Sequence, residues 1–424
     1  MMAGNHLNIL SQRAGSGRVS LKKRKFILLA FLLSLLTVAP IQAKKSATKP
    51  LKASYWHKMA DGMSNALIEK FWGASFEGDE TRYYFNYGSN RSDMSTEHFW
   101  PQAHAMDVML DAAMRTGKRR YKAIMPLWWQ GMPRYNPYGR SEEPWWNAYV
   151  DDMEWMVLAL IRLHEYTGEK QYLEKARTLY DKWIWSTWGP DDKAPWYGGI
   201  TWKTDIVPSK NACSNGPAAI IAARLYRLTD GDTEEKKRYE YLAESMRIYA
   251  WLKERLFDKE SGAVYDHINA KGEVVRWNFT YNQGTFIGAA HELYDLTGDD
   301  TYLQDALMAA DHVIERMSDN RGVLGNAKSG DGALFHGIFF RYFVKLTNDE
   351  RVDENIRRRY HSYLTHLATT MATNGVNHST MLYGGEWWRA PGNNENVQLT
   401  AQLTGCMLME AMCILKKVKG SSIN

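Results

Sequence analysis

Apolar residues recur three and four positions apart along most of the chain, the spacing that lines one face of an α-helix. The pattern predicts helices over 54–72, 96–116, 119–131, 147–167, 170–186 and 211–229 in the first half. In the second half it predicts 233–256, 281–297, 300–317, 332–347, 352–373 and 395–418. Strand-like alternation is confined to short pieces such as Gly262-Ala-Val-Tyr265 and Glu273-Val-Val-Arg276. A similar phrase closes many of the helices: Arg115-Thr-Gly117, Tyr166-Thr-Gly168, Leu228-Thr-Asp-Gly231, Leu296-Thr-Gly298 and Leu346-Thr-Asn348. Gly or Asn after a helix is the expected left-handed stop. Twelve helices arranged as six hairpins can stack as an open solenoid or close on themselves. A solenoid would carry more regular repeats and polar caps, whereas these loops differ in length and hold Gly, Trp and Asn. The expected fold is therefore all-α, an (α/α)6 barrel built from six helical hairpins.

Composition adds an address. The 424 residues are 45% hydrophobic and 24% charged, which excludes a disordered, collagen-like or disulfide-scaffold protein. The net charge of +5 misleads, because Arg13, Arg18, Lys22, Lys23, Arg24 and Lys25 stand in a first stretch that has no acidic residue. Without those six the rest is near neutral, which argues against nucleic acid or an anionic membrane surface as partner. Lys22 to Lys25 lead into the apolar run Phe26 to Val38 and then Pro40-Ile-Gln-Ala43, the layout of a secretory signal peptide. The run is too short for a comfortable membrane span. Residues 1–43 are expected to be the signal peptide and 44–424 a single domain. The mature protein is expected to be exported, periplasmic or secreted, free of the membrane and monomeric.

Three cysteines, Cys213, Cys406 and Cys413, are an odd number. The last two lie two helical turns apart, roughly 10 Å, too far for a disulfide. They read as small buried hydrophobes. No CxxC or HExxH pattern appears, so neither a metal nor another cofactor is expected.

The chemistry concentrates in Trp145-Trp-Asn-Ala-Tyr-Val-Asp-Asp-Met-Glu-Trp155. Asp151 and Asp152 open a helix whose apolar face runs Met153, Met156, Val157, Leu160 and Ile161. Neighbouring helical positions put their Cβ atoms roughly 5 Å apart. A retaining glycosidase needs two carboxyls about 5–5.5 Å apart, one as nucleophile and one as acid/base, whereas inversion needs a wider gap for water. The helix dipole favours an ionised carboxylate in the first turn, while two adjacent charges push one proton affinity up. Asp is also a common cap residue, so spacing alone leaves that role open. Trp145, Trp146, Tyr149 and Trp155 around the pair favour the catalytic one, because aromatic faces stack on the apolar faces of sugars.

With Tyr149-Val-Asp-Asp-Met-Glu-Trp155 in place, the chain resembles glycoside hydrolase family 76, the endo-α-1,6-mannanase family. Further matching phrases are Gly198-Gly-Ile-Thr-Trp202, Lys210-Asn-Ala-Cys-Ser-Asn215, Thr280-Tyr-Asn-Gln-Gly-Thr285 and Gly385-Glu-Trp-Trp388. The resemblance covers the mature chain and implies an (α/α)6 barrel, a retaining mechanism without metal, and α-mannan or manno-oligosaccharides as substrate. Carried onto matching positions, it implies Asp151 as nucleophile and Asp152 as general acid/base. Fungal relatives suggest transglycosylation as an alternative, and a non-catalytic glycan-binding barrel is a third reading. The lack of a C-terminal apolar tail favours the hydrolase over a lipid-anchored wall enzyme.

Candidate sugar contacts are Trp145, Trp146, Trp202, Asn211, Asn215, Tyr281, Asn282, Gln283, Trp387 and Trp388. Asn211 and Asn215 fit a helix start equally well, and Tyr281, Asn282 and Gln283 could bind hydroxyls or only loop backbone. Trp202, Trp387 and Trp388 lie in Gly-rich loops, where a stacking platform is the expected role. His104 reads as a core residue, and Asp191-Asp192 as solvated surface.

Overall fold

The computed structural model describes residues 51–73, 82–88, 99–190, 192–194, 197–206, 209–327 and 329–419. The expected leader lies outside them. The first half contains α1 (Ala53–Phe71), α2 (Trp100–Thr116), α3 (Arg119–Lys122), α4 (Ile124–Tyr135), α5 (Val150–Thr167), α6 (Lys170–Leu179) and α7 (Ala212–Leu228). The second half contains α8 (Glu235–Leu256), α9 (Thr280–Thr297), α10 (Asp300–Arg316), α11 (Gly332–Asn348), α12 (Glu354–Thr370) and α13 (Leu399–Ile414).

Two kinds of helix build two layers. Helices α2, α5, α7, α9, α11 and α13 are buried on nearly every side, as a helix apolar all round must be. They pack in that order, and α13 returns to α2, closing a ring. Helices α6, α8, α10 and α12 bury one stripe and lie outside the ring, as does α1 against α13. This is the expected (α/α)6 barrel.

The Thr-Gly phrases prove to be one device used repeatedly. Thr116, Thr167 and Thr297 each donate Oγ1 to the carbonyl four residues back, at 2.7, 2.7 and 2.8 Å. Each also accepts from the backbone N–H two residues ahead at 3.2 Å. Gly117, Gly168 and Gly298 follow with φ of 68°, 76° and 70°, the left-handed stop.

Some boundaries differ from the sequence pattern. The segment predicted at 119–131 is two helices that break at Ala123, the second running on to Tyr135. Helices α6 and α12 widen into π turns at Tyr180–Ile184 and Met371–Gly375. Of the alternating pieces, the first only touches β2 (Tyr265–Ile268) at Tyr265 and the second supplies most of β3 (Val274–Asn278); both strands join β1 (Lys210–Asn211) in an antiparallel sheet. A second small pair is β4 (Val376–Asn377) with β5 (Leu382–Tyr383).

All six inner helices run the same way. Their carboxyl ends gather at one mouth, where a cavity of about 550 Å³ is lined by Arg115, Arg162, Arg224 and Arg341 among others. Cations there oppose the negative ends of the helix dipoles. They also lace the ring together: Arg162 reaches Asp107 at 2.6 Å and Asp111 at 2.5 Å, and Arg341 reaches Asp111 at 2.9 Å. Arg115 holds Glu410 at 2.8 Å, and Arg224 holds Glu292 at 3.0 Å. The amino ends face the other mouth, where the paired aspartates lie.

Candidate active site

That second mouth holds a cavity of about 530 Å³. Its walls are Trp100, Trp155, Tyr281 and Phe335 on the inner helices and Tyr138, Tyr149 and Trp202 on loops. Three carboxyls open into it: Asp151, Asp152 and Asp331.

Asp151 and Asp152 occupy the first turn of α5, and a knot of loop residues fixes that turn. Val150 N–H donates to the carbonyl of Trp202 at 2.7 Å. Asn147 Oδ1 accepts from the N–H of Tyr149 at 2.9 Å, and Asn147 Nδ2 lies 3.4 Å from Asp152 Oδ2. Asn147 is in turn held at 3.2 Å by Asn136, whose amide donates to the carbonyls of Pro144 and Trp146 at 3.0 and 2.6 Å. The Asp331 carboxyl, just before α11, accepts from the Trp100 indole at 3.0 Å.

The two paired carboxyls sit in different fields. Burial raises Asp151 to about 7, and the Asp331 charge adds to the rise. The Cys213 thiol and the Trp202 indole oppose it by favouring the carboxylate. Burial raises Asp152 well above its ordinary value, with Asp151 and Asp331 as like-charged neighbours. The pair thus holds one proton over a wide pH range, and Asp152 is its better-placed owner. One turn below, Glu154 is fully buried, with neither carboxyl oxygen hydrogen-bonded among the described residues. Burial drives its proton affinity well up, which favours the neutral acid. His104 packs 4.8 Å from Trp155, and burial lowers it to about 3, which keeps it uncharged as a core residue.

The structure sorts the expected sugar contacts. Trp202 and Tyr281 line the cavity. Trp145 does not: it is buried between Trp128 and Trp129, with centroids 5.8 and 4.9 Å away. The face of Trp146 is covered by the Arg140 guanidinium at 3.5 Å. Asn215 is spent on backbone, bonding both the N–H (2.8 Å) and the carbonyl (3.1 Å) of Ile200 and the carbonyl of Asn211 (2.8 Å). Asn211 is buried and accepts from Ser209 at 2.8 Å. Asn282 donates to Asp266 at 3.0 Å and the Gln283 amide lies 2.9 Å from that of Asn278, both fully buried behind the cavity wall. Trp387 is 0% exposed and packs against Tyr383 and His336, so it is core and not a platform. Trp388 is 42% exposed but lies off the cavity wall, under Arg321. Asp192 is exposed, and Asp191 lies outside the described residues.

Sequence reasoning missed Asp331, Trp100, Asn147 and Cys213. Asp331 stands before an apolar helix and so reads as an ordinary cap. Its meeting with Asp152 depends on barrel closure. Cys213 was expected only as a buried hydrophobe, and it is buried, but against Asp151. Elsewhere His291, Asp295 and Asp349 come within 4.8 Å of one another, and Arg351 already pairs with both of those carboxylates.

Paired carboxyls in an aromatic-walled cavity at the amino mouth of an (α/α)6 barrel define a carbohydrate-active protein. Comparison with known proteins narrows this. Residues 55–423 match the model of glycosyl hydrolase family 76, and the chain belongs to that family. An α-1,6-mannanase of Salegentibacter sp. HEL1_6 is 34% identical, with a TM-score of 0.74 over 85% of this chain and 99% of that one. It was solved as an inactive variant, with two successive aspartates replaced by alanine, in complex with α-1,6-mannotetrose. A Listeria innocua protein is 26% identical, with a TM-score of 0.72 over 85% of this chain and 97% of that one. The mannan endo-1,6-alpha-mannosidase DCW1 of Candida glabrata is 31% identical over 114 residues, covering 25% of this chain and 24% of its own length. The chain thus spans about a quarter of that relative.

Proposed function

We propose that this protein is a glycosidase that cleaves internal α-1,6-mannosidic bonds of mannan with retention of configuration. The carrying observation is that Asp151 and Asp152 share one helical turn in the cavity yet sit in unequal fields. The Salegentibacter enzyme supports the substrate, since its inactive double-aspartate variant holds an α-1,6-linked mannan fragment.

Asp151, whose carboxylate is favoured by Cys213 and Trp202, attacks the anomeric carbon. The glycosidic C–O bond breaks as the Asp151–carbon bond forms, and Asp152 gives its proton to the departing oxygen. The result is a β-linked mannosyl-enzyme. Asp152, now a carboxylate, takes a proton from a water that attacks from the vacated face, which frees Asp151 and restores the α anomer. Asp331 lies on the same cavity and discourages ionisation of Asp152, which keeps the acid loaded. Transfer to another glycan would share the first step and differ only in the acceptor.

Product analysis on linear α-1,6-mannan tests this reading. Manno-oligosaccharides of mixed length are expected. Mannose alone would mean end-wise attack, longer chains would mean transfer, and no change would reject the reading. The same proposal takes residues 1–43 as a cleaved leader and 44–424 as one exported, monomeric catalytic domain, periplasmic or secreted. Amino-terminal sequencing of the mature protein checks the cleavage near Lys44.

A further inference from the structure

We propose that Trp277 is an outer glycan-binding platform, which extends the cavity along the mannan chain; this rests on the mannan reading above. The sequence Trp277-Asn-Phe-Thr-Tyr281 places an aromatic ring at every second position as β3 runs into α9. In extended chain such positions share one face. The rings form a continuous series: Trp277 to Phe279 is 6.3 Å between centroids, and Phe279 to Tyr281 is 6.0 Å. The inner end lies in the cavity, where Tyr281 stacks on Phe335 at 3.9 Å and 6°. Phe279 also packs on Phe335, at 5.3 Å. The outer end is open. Trp277 is 60% exposed, the highest value of any large apolar side chain among the described residues.

Three features separate this ring from an ordinary surface tryptophan. Its neighbours His267 and Phe279 meet it at 74° and 67°, so neither stacks flat against it. Trp146 and Trp388 have an arginine over the ring, whereas no cation covers Trp277 among the described residues. The next residue is also held in place: Asn278 pairs with Tyr265 across the hairpin, and its side chain lies 2.9 Å from Gln283 and 2.8 Å from His312. A preformed, uncovered aromatic face loses little freedom on binding. The occupant is identified by continuity with the cavity. A neutral glycan that leaves the cavity along the Tyr281–Phe279 wall meets Trp277 next, and the apolar C–H face of a hexose suits it.

The bland alternative is that Trp277 only pairs with His267 across the hairpin to stabilise it. The test uses the full mature protein with Trp277→Ala and Trp277→Phe, assayed on linear α-1,6-mannan and on α-1,6-mannotriose, with melting temperatures measured alongside. Trp277→Ala should lower kcat/KM on the polymer about tenfold, mainly through KM, with a clearly smaller loss on the trisaccharide. Trp277→Phe should recover most of the loss, and melting should barely move. Equal losses on both substrates, an unchanged polymer KM, or a large melting drop that tracks the activity would overturn the platform. If the wild type cleaves neither substrate, the mannan reading itself fails and this inference falls with it.

Discussion

Asn147 Nδ2 faces Asp152 Oδ2 at 3.4 Å while Asn147 Oδ1 holds the N–H of Tyr149, so one side chain fixes both the helix start and the carboxyl inside it. Asn147 lies at the bottom of a loop and is fully buried. Its replacement should act on the chemistry through Asp152. Asn147→Ala should lower kcat about 10- to 100-fold, the worth of a hydrogen bond to an ionisable group, with a smaller change in KM. It should also move the basic limb of the pH–rate profile. A purely structural role would lower melting and leave that limb where it was.

The pH dependence follows from the unequal pair. Asp151 must be ionised to attack, so kcat/KM should fall as pH drops through about 7. Asp152 must hold its proton, and burial with two like-charged neighbours raises its proton affinity, so activity should fall again as rising pH removes that proton. The profile is a bell that reports the pair as a unit. Asp152→Asn should remove the basic limb and about 100-fold or more of the rate. Full activity at pH 4, or near wild-type turnover in that variant, would contradict the roles.

Glu154 makes a separate stability prediction. It is 0% exposed and its proton affinity is raised, so the native state keeps this proton to higher pH than the unfolded chain does. Stability from this group is therefore undisturbed below the ordinary carboxylate range and falls as pH rises above it. Glu154→Gln should flatten the decline in unfolding free energy between pH 4.5 and 7, as read by denaturant titration. A parallel decline in both proteins would mean that Glu154 is not the group.

Trp387 is expected to behave as core. Trp387→Ala should cost about 3–5 kcal/mol through the cavity it leaves, and melting should fall accordingly. An unchanged melting temperature with weakened mannan binding would return Trp387 to the rim.

The barrel was legible in the chain because its helices carry apolar residues at helical spacing and three of the inner ones, α2, α5 and α9, end in the same Thr-Gly stop. Asp151 and Asp152 were legible because they are adjacent in sequence and preface an apolar helix. What lies in loops was not. Trp145 and Trp146 are neighbours, yet one is packed into the core and the other lies under Arg140, and no period in a loop distinguishes them. Asn215 and Gln283 are polar residues at helix starts, and whether they serve backbone or sugar depends on which loop crosses above them. Asp331 reaches the pair only when α11 closes on α2 through Trp100.

The central claim is that the first attack comes from Asp151 and not from water. NMR of the anomeric protons in the first minutes of mannan digestion reads this before mutarotation mixes the products. Two successive inversions predict α-anomeric reducing ends at the outset. Early β anomer would contradict the double displacement and make Asp331, across the same cavity, the carboxylate that activates water.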